Sequence, residues 1–318
     1  MYFLFRFNRL YIVMSENIYH IPALLPETLD CLDIKADGIY VDATFGGGGH
    51  SRAILDRLGP DGRLFGFDQD ADAFANAPDD KRFTFVRSNF RFIRNFLRYY
   101  GVGKIDGILA DLGVSFHHFD DPARGFSFRA DAPLDMRMNQ ESPLTAAELL
   151  AGFDDRDLIS LFRTYADLKD PVKAARAIVA AEKEQRIETT FQLADAVRSA
   201  LNPKAEKKEM AQVFQALRIA VNSEMDALTQ LLSAAPQVLK EGGRAVILTY
   251  HSVEDRIVKN FFRSGNAEGK VEKDFFGRVH CEWKAVTRSP ITADAEEVER
   301  NPRSRSAKLR AAEYTGND

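Results

Sequence analysis

The chain has 318 residues, 45% hydrophobic and 28% charged, enough for one large domain with an insertion or two modest ones around an ordinary core. Its only cysteines, Cys31 and Cys281, exclude a disulfide framework and a C-x-x-C metal cluster, so no metal is implied. The formal net charge of −4 requires any nucleic-acid partner to be met by a local basic patch.

Met1 to Val13 mix aromatic and aliphatic residues with Arg6 and Arg9, and Met14 then opens a polar stretch. No uninterrupted apolar run or small-residue cleavage site marks a signal peptide, and nothing approaches the roughly 18 apolar residues of a membrane span. Residues 1–19 are expected to be an extension outside the fold, disordered or preceding a true start at Met14. The fold should begin near His20-Ile-Pro-Ala-Leu-Leu.

The first strand is expected over Ile39 to Thr44, running into four glycines, Gly46 to Gly49, and His50. A dinucleotide fingerprint counted from Gly46 needs a third glycine where Ser51 stands, so that reading fails. Asp42, Gly46 and Gly48 instead fit the D-x-x-x-G-x-G turn of S-adenosylmethionine methyltransferases. A helix over Ser51 to Leu58 and a strand over Arg63 to Phe67 follow. Asp68 closes that strand where a carboxylate can accept both ribose hydroxyls. It could also cap a helix over Ala71 to Ala77, although Asp70 is the better cap. After a third strand, Phe83 to Val86, Phe90 could lie against an adenine ring or simply pack in the core.

A helix is expected over Phe90 to Tyr100. Residues 81–104 hold Lys81, Arg82, Arg87, Arg91, Arg94, Arg98 and Lys104 with no acidic residue, and the arginines recur at helical spacing with aromatics between them, as a face tracking phosphates would. The fourth strand, Ile105 to Ala110, ends at Asp111. Catalytic groups gather at the carboxyl ends of strands in open α/β sheets, which makes Asp111 the leading catalytic candidate; the alternative is a turn aspartate bonding the Gly113 backbone. An exocyclic amine on a base is a weak nucleophile, and an acceptor for its N–H groups localises and aims its lone pair. Methylation at carbon 5 of a pyrimidine instead needs a thiolate to add first, and neither cysteine lies in any of these motifs.

Pro122 to Lys208 breaks the strand–helix rhythm with helical patterning, scattered prolines and no convincing strand, and reads as an inserted helical domain. A long amphipathic helix is expected over Val213 to Leu232, ended by Glu241-Gly242-Gly243, and a fifth strand over Arg244 to Tyr250. His251 closes it, either as a group that positions a base or accepts a proton, or as a cap. A second basic cluster spans Arg300 to Arg310. The whole order predicts an α/β, doubly wound, Rossmann-like methyltransferase fold with a helical insertion.

His20-Ile-Pro-Ala-Leu-Leu, Tyr40-Val-Asp-Ala-Thr-Phe-Gly-Gly-Gly-Gly-His-Ser-Arg, Asp111-Leu-Gly-Val-Ser, Arg124-Gly-Phe-Ser-Phe, Pro133-Leu-Asp-Met-Arg-Met, Phe214-Gln-Ala-Leu-Arg-Ile-Ala-Val-Asn-Ser-Glu, His251-Ser-Val-Glu-Asp-Arg and Asn301-Pro-Arg-Ser-Arg-Ser-Ala-Lys-Leu-Arg closely resemble the bacterial MraW (RsmH) family. The resemblance implies a cytoplasmic enzyme that uses S-adenosylmethionine to methylate the N4 amine of a cytosine in the decoding region of 16S ribosomal RNA, within the small ribosomal subunit. It implies cofactor contacts at Gly48, Gly49, His50, Asp68, Phe90, Asp111 and His118; Asp111 and His251 stay the catalytic candidates that their strand ends suggest. It also implies a methyltransferase domain over residues 20–121 and 209–318, interrupted by a substrate-recognition insertion over 122–208. A homodimer is compatible with it. The chain departs from the family at Gly47, which stands for Arg, at His118, which stands for Gln, at Tyr250-His-Ser-Val, which stands for F-H-S-L, and in a shorter stretch before Phe214. A DNA amino-methyltransferase and a noncatalytic RNA-binding protein with a vestigial pocket are the alternatives, the first disfavoured because Asp111-Leu-Gly-Val lacks the D/N-P-P-Y/F element.

Overall fold

The computed structural model describes residues 22–113, 121–271 and 281–316. The N-terminal extension and His118 lie outside them. The five expected strands appear as β1 (Ile39–Asp42), β2 (Arg63–Asp68), β3 (Phe83–Arg87), β4 (Ile105–Asp111) and β5 (Leu239–Thr249), joined by β6 (Trp283–Ala285), β7 (Ile291–Thr292) and β8 (Lys308–Tyr314). They form one sheet in the order β3-β2-β1-β4-β5-β8-β6, with β7 paired to β8. The first five are parallel, and β8 runs antiparallel to β5. Strand order reverses between β1 and β4, the place where such sheets open a crevice at their carboxyl ends.

Period-two alternation gives the central strands β1, β2 and β4 two buried faces. On one face Val41, Phe65 and Ile108 pack with Ile93 and Leu97 of α3 (Ile93–Tyr99), Leu228 and Leu231 of α9 (Glu224–Val238) and Val258 and Phe261 of α10 (Ser252–Ser264). On the other, Tyr40, Leu64 and Leu109 meet Leu29 and Leu32 of α1 (Leu25–Leu32) and Ile54 and Leu55 of α2 (Gly49–Arg57). Both faces are therefore covered, as a parallel sheet requires.

A third apolar cluster holds Leu149 of α4 (Ala146–Gly152), Phe162 of α5 (Asp155–Tyr165), Ile178 of α6 (Pro171–Glu184) and Val197 of α7 (Thr190–Arg198). Phe214, Leu217 and Val221 of α8 (Glu206–Asn222) belong to the same cluster, so this core continues beyond residue 208 to the end of α8. The single helix expected over Val213 to Leu232 is instead two, α8 and α9, divided at Ser223 with φ +49°. The break is built by side chains. Asn222 donates to the Met136 carbonyl and accepts from the Met138 amide, at 2.8 and 2.7 Å, while Arg218 and Glu224 pair across the turn at 2.8 and 3.0 Å. The expected glycine stop also lies elsewhere: α9 ends at Val238, and Glu241-Gly242-Gly243 falls inside β5, where the register to β4 jumps between Ile105 and Gly107.

A buried ion pair ties the inserted segment to the turn after β2. Arg124, 6% exposed, donates to Asp70 Oδ2 at 3.0 Å and to the carbonyls of Arg137 and Met138 at 2.9 and 3.1 Å. Removing one partner of a buried pair leaves the other charge uncompensated, which costs about 3 kcal/mol or more. Arg124→Met is thus expected to lower the urea midpoint strongly; a loss below about 1 kcal/mol would show the pair to be dispensable.

Candidate active site

Every predicted strand end meets at one edge, around a cavity of about 1580 Å³. Pockets of roughly 300–1,000 Å³ hold a drug-sized ligand, so this one has room for a cofactor and a second group. Asp68, Phe90, Asp111, Gly49, His50 and His251 all line it. Gly46 and Gly47 line it too, whereas Gly48 does not; Gly48 serves the turn instead. Its φ is +73°, and a β-carbon there would sit 2.8 Å from the Phe45 ring, so the turn demands glycine both by dihedral and by space.

Asp68 accepts from the Gly46 amide at 2.8 Å and the Asp70 amide at 2.9 Å, which fixes its carboxylate at the glycine turn. Asp70 in turn caps a 3₁₀ turn over Ala71–Asn76, accepting from the Asp72 amide at 3.1 Å. Asp70 is therefore the cap, as expected of it. Phe90 opens a short 3₁₀ turn over Phe90–Phe92 and packs partly on the core while facing the cavity.

Asp111 is held from two other elements. Its amide donates to Thr44 Oγ1 at 2.6 Å, and Tyr250 Oη donates to its Oδ1 at 2.6 Å. Its Oδ2 lies 3.7 Å from His50 Nδ1, and about a quarter of the side chain, 24%, still faces the cavity. Burial pushes the carboxyl up to about 7, opposed by the Tyr250 bond and reinforced by Glu254. The Tyr250 phenol is held well above its usual range by burial and by Asp111, so it remains a donor at any working pH. The alternative of a turn aspartate bonding its own loop does not describe this geometry, in which both carboxyl oxygens face side chains from other elements.

His50, on the first turn of α2, is 6% exposed, with Nε2 3.2 Å from the Ala23 carbonyl. That contact assigns the proton to Nε2. Burial lowers its pKa, partly offset by Asp42, so Nδ1 faces Asp111 as an acceptor. Asp42 beneath it accepts from Ser51 Oγ at 2.7 Å and the Thr44 amide at 3.1 Å, and burial raises its pKa.

Of the two readings of His251, the geometry supports the cap. It is the N-cap of α10, its Nδ1 accepting from the Glu254 amide at 3.4 Å, and its Nε2 lies 3.1 Å from Glu254 Oε1. Both ring nitrogens are turned to Glu254. Asp135 and Arg137 pin their own loop: Arg137 donates to Asp135 at 2.6 and 2.9 Å and to the Ser142 carbonyl at 2.6 Å, and neither lines the cavity. Sequence reasoning missed Thr44 and the phenol of Tyr250 as partners of Asp111. The signal for the second was present in the tyrosine itself, a hydroxyl at the end of the strand beside Asp111.

A five-stranded parallel sheet in the order 3-2-1-4-5, a glycine turn after its first strand and an acid ending its second define the class of S-adenosylmethionine-dependent methyltransferases. The sequence carries the assignment further: the model of the MraW methylase family matches residues 17–315, and the chain belongs to that family. It is 54% identical over 299 residues to the ribosomal RNA small subunit methyltransferase H of Bacteroides fragilis (strain YCH46), covering 94% of this chain and 98% of that protein. It is 56% identical over 300 residues to the protein of the same name from Parabacteroides distasonis, with the same coverage, 94% and 98%. Among solved structures, an rRNA methylase from Streptococcus thermophilus matches with 10% identity and a TM-score of 0.41, over 91% of this chain and 94% of that one.

The methyl donor is S-adenosylmethionine, and the cavity residues fit it. The Asp68 carboxylate suits a ribose diol, the glycine turn admits close backbone approach, and Phe90 offers an aromatic face. No helix among the described residues is long and apolar enough to cross a membrane.

Proposed function

We propose that this methyltransferase acts in the cytoplasm on the N4 amine of a cytosine in the decoding region of 16S ribosomal RNA. The names of its relatives support small-subunit ribosomal RNA as the substrate. The amine rests on one observation: the cavity presents a carboxylate, Asp111, at the end of β4, and no thiol. Cys31 is buried on α1, with burial raising its pKa, and Cys281 turns its Sγ to the Phe262 carbonyl at 3.9 Å; neither lines the cavity. Addition of a thiolate to carbon 6, which carbon-5 methylation requires, has no group to perform it.

The bound cofactor supplies a methyl group already activated on a sulfonium. The chain's part is orientation and proton management. With Oδ1 engaged by Tyr250, Asp111 offers Oδ2 to an amine N–H, drawing the lone pair off the ring and aiming it. Because burial places its pKa at about 7, the same carboxylate can take the proton that the amine loses once its fourth bond forms. Asp68 and the glycine turn hold the cofactor, with His50 and Phe90 beside them, and His251 acts by capping α10. The helical unit from residue 122 through α8 is assigned to substrate recognition. The test is nucleoside analysis of small-subunit RNA after reaction, in which N4-methylcytosine is expected.

A further inference from the structure

The sequence holds two basic clusters, and the structure treats them differently. In the first, most of the charge is already used. Arg82 pairs with Asp80, Arg87 with Glu141 at 2.7 Å, Arg91 donates to the Ser223 carbonyl at 3.1 Å, and Lys104 donates to the Pro236 carbonyl at 3.2 Å. Lys81, together with Arg94 and Arg98 of α3, remains exposed and without such a partner among the described residues, and none of the three borders the cavity. In the second cluster, Lys308 and Arg310 are tied to Asp255 at 3.5 and 2.7 Å. Arg305 is not.

Arg305 is exposed, lines the cavity, and has no ion pair or side-chain hydrogen bond among the described residues. Its mount is rigid: the 3₁₀ turn Pro302–Ser306 is anchored by fully buried Ser304, whose Oγ donates to the Asn301 carbonyl at 2.8 Å. A second guanidinium in the same condition comes from the inserted segment. Arg129 is exposed, lines the cavity and is likewise unpartnered among the described residues. It follows Phe126, which is buried, and Phe128, whose ring meets Phe214 at 5.4 Å, so it too stands on fixed backbone.

The cavity wall also carries carboxylates, Asp68, Asp111 and Glu254 among them, while Asp70 is paired with Arg124. Such a floor repels phosphate and favours a group rich in N–H donors. Cations on the rim do the opposite, and guanidinium forks match phosphate oxygens. We propose that Arg129 and Arg305 clamp the phosphate backbone of an RNA strand at the mouth of the cavity while one base descends to the acidic floor. This rests on the reading of the protein as an RNA methyltransferase, and it explains how a chain of net charge −4 takes a polyanion.

The experiment compares wild type with Arg129→Gln/Arg305→Gln in the full chain, measuring binding to small ribosomal subunits between roughly 50 and 300 mM KCl, where each phosphate contact contributes about −0.7 to −0.9 to the slope of log K against log salt. The double variant should flatten that slope by about 1.4 to 1.8, weaken binding at low salt at least tenfold, and bind S-adenosylmethionine as wild type does. Arg94→Gln/Arg98→Gln should leave the slope unchanged. An unchanged slope in the first variant, transfer of the effect to the second, or a loss confined to cofactor affinity would each overturn the clamp. If wild type itself neither bound nor methylated the subunits, the reading as an RNA methyltransferase would fail instead.

Discussion

Asp111→Asn is expected to cut methyl transfer by roughly 10²–10³, the scale seen when one preorganised electrostatic partner is lost, while the protein stays folded. Asparagine keeps the shape, and its carbonyl can still accept from Tyr250, but it can neither carry charge to the amine nor take its proton. Stability supplies an independent readout with a definite sign. Burial raises the folded-state pKa to about 7, against about 3.9 for an unperturbed aspartate. The folded state therefore disfavours the ionised form, and this group's contribution erodes as pH rises from about 4 to about 7, then stays at its full penalty. Asparagine escapes that penalty. The thermal midpoint of the variant relative to wild type should be higher at pH 8 than at pH 5. Full activity in the variant would remove Asp111 from the chemistry.

Tyr250→Phe should move the pH dependence without abolishing the reaction. The phenol donates to Asp111 Oδ1 at 2.6 Å, and a hydrogen bond to the charged form favours ionisation. The other groups facing this carboxyl are His50 of α2, neutral by burial, and Glu254 of α10, whose charge opposes ionisation. Without the phenol nothing but solvent offsets burial, so the pKa of Asp111 should climb by roughly one to two units, the worth of a hydrogen bond to a charged group. Activity, which needs the ionised acid, should then rise with pH along a limb displaced to higher pH, with the plateau kcat little changed. The variant carries the residue that the family resemblance places here, so it should fold. A limb that stayed in place would show that Tyr250 only packs.

The sheet was legible because β1 to β4 are short β-rich runs bounded by turn residues, and their ends fall within a residue or two of expectation. β6 to β8 were not. β8 reads Lys308-Leu-Arg-Ala-Ala-Glu-Tyr, and its charges look like a solvated tail until Asp255 is found pairing with Lys308 and Arg310 from α10. The break at Ser223 was hidden for a related reason: helical periodicity runs through it, and what stops the helix is Asn222 reaching a loop more than eighty residues earlier in the chain. Asp68, Asp111 and Phe90 could be placed on the cavity because strand ends advertise a site locally, and His50 through the family motif. Thr44 and the phenol of Tyr250, which set the state of Asp111, are partners by tertiary contact, and so is the Arg124–Asp70 pair.

Small ribosomal subunits incubated with this protein and S-adenosylmethionine, digested to nucleosides and resolved by mass spectrometry, test the central claim most directly. The account predicts N4-methylcytosine, at one position of the 16S RNA, and none of it with Asp111→Asn at short reaction times. Methylation only at carbon 5 or at a ribose oxygen would contradict the role given to Asp111, and binding of subunits with no transfer at all would contradict the enzyme.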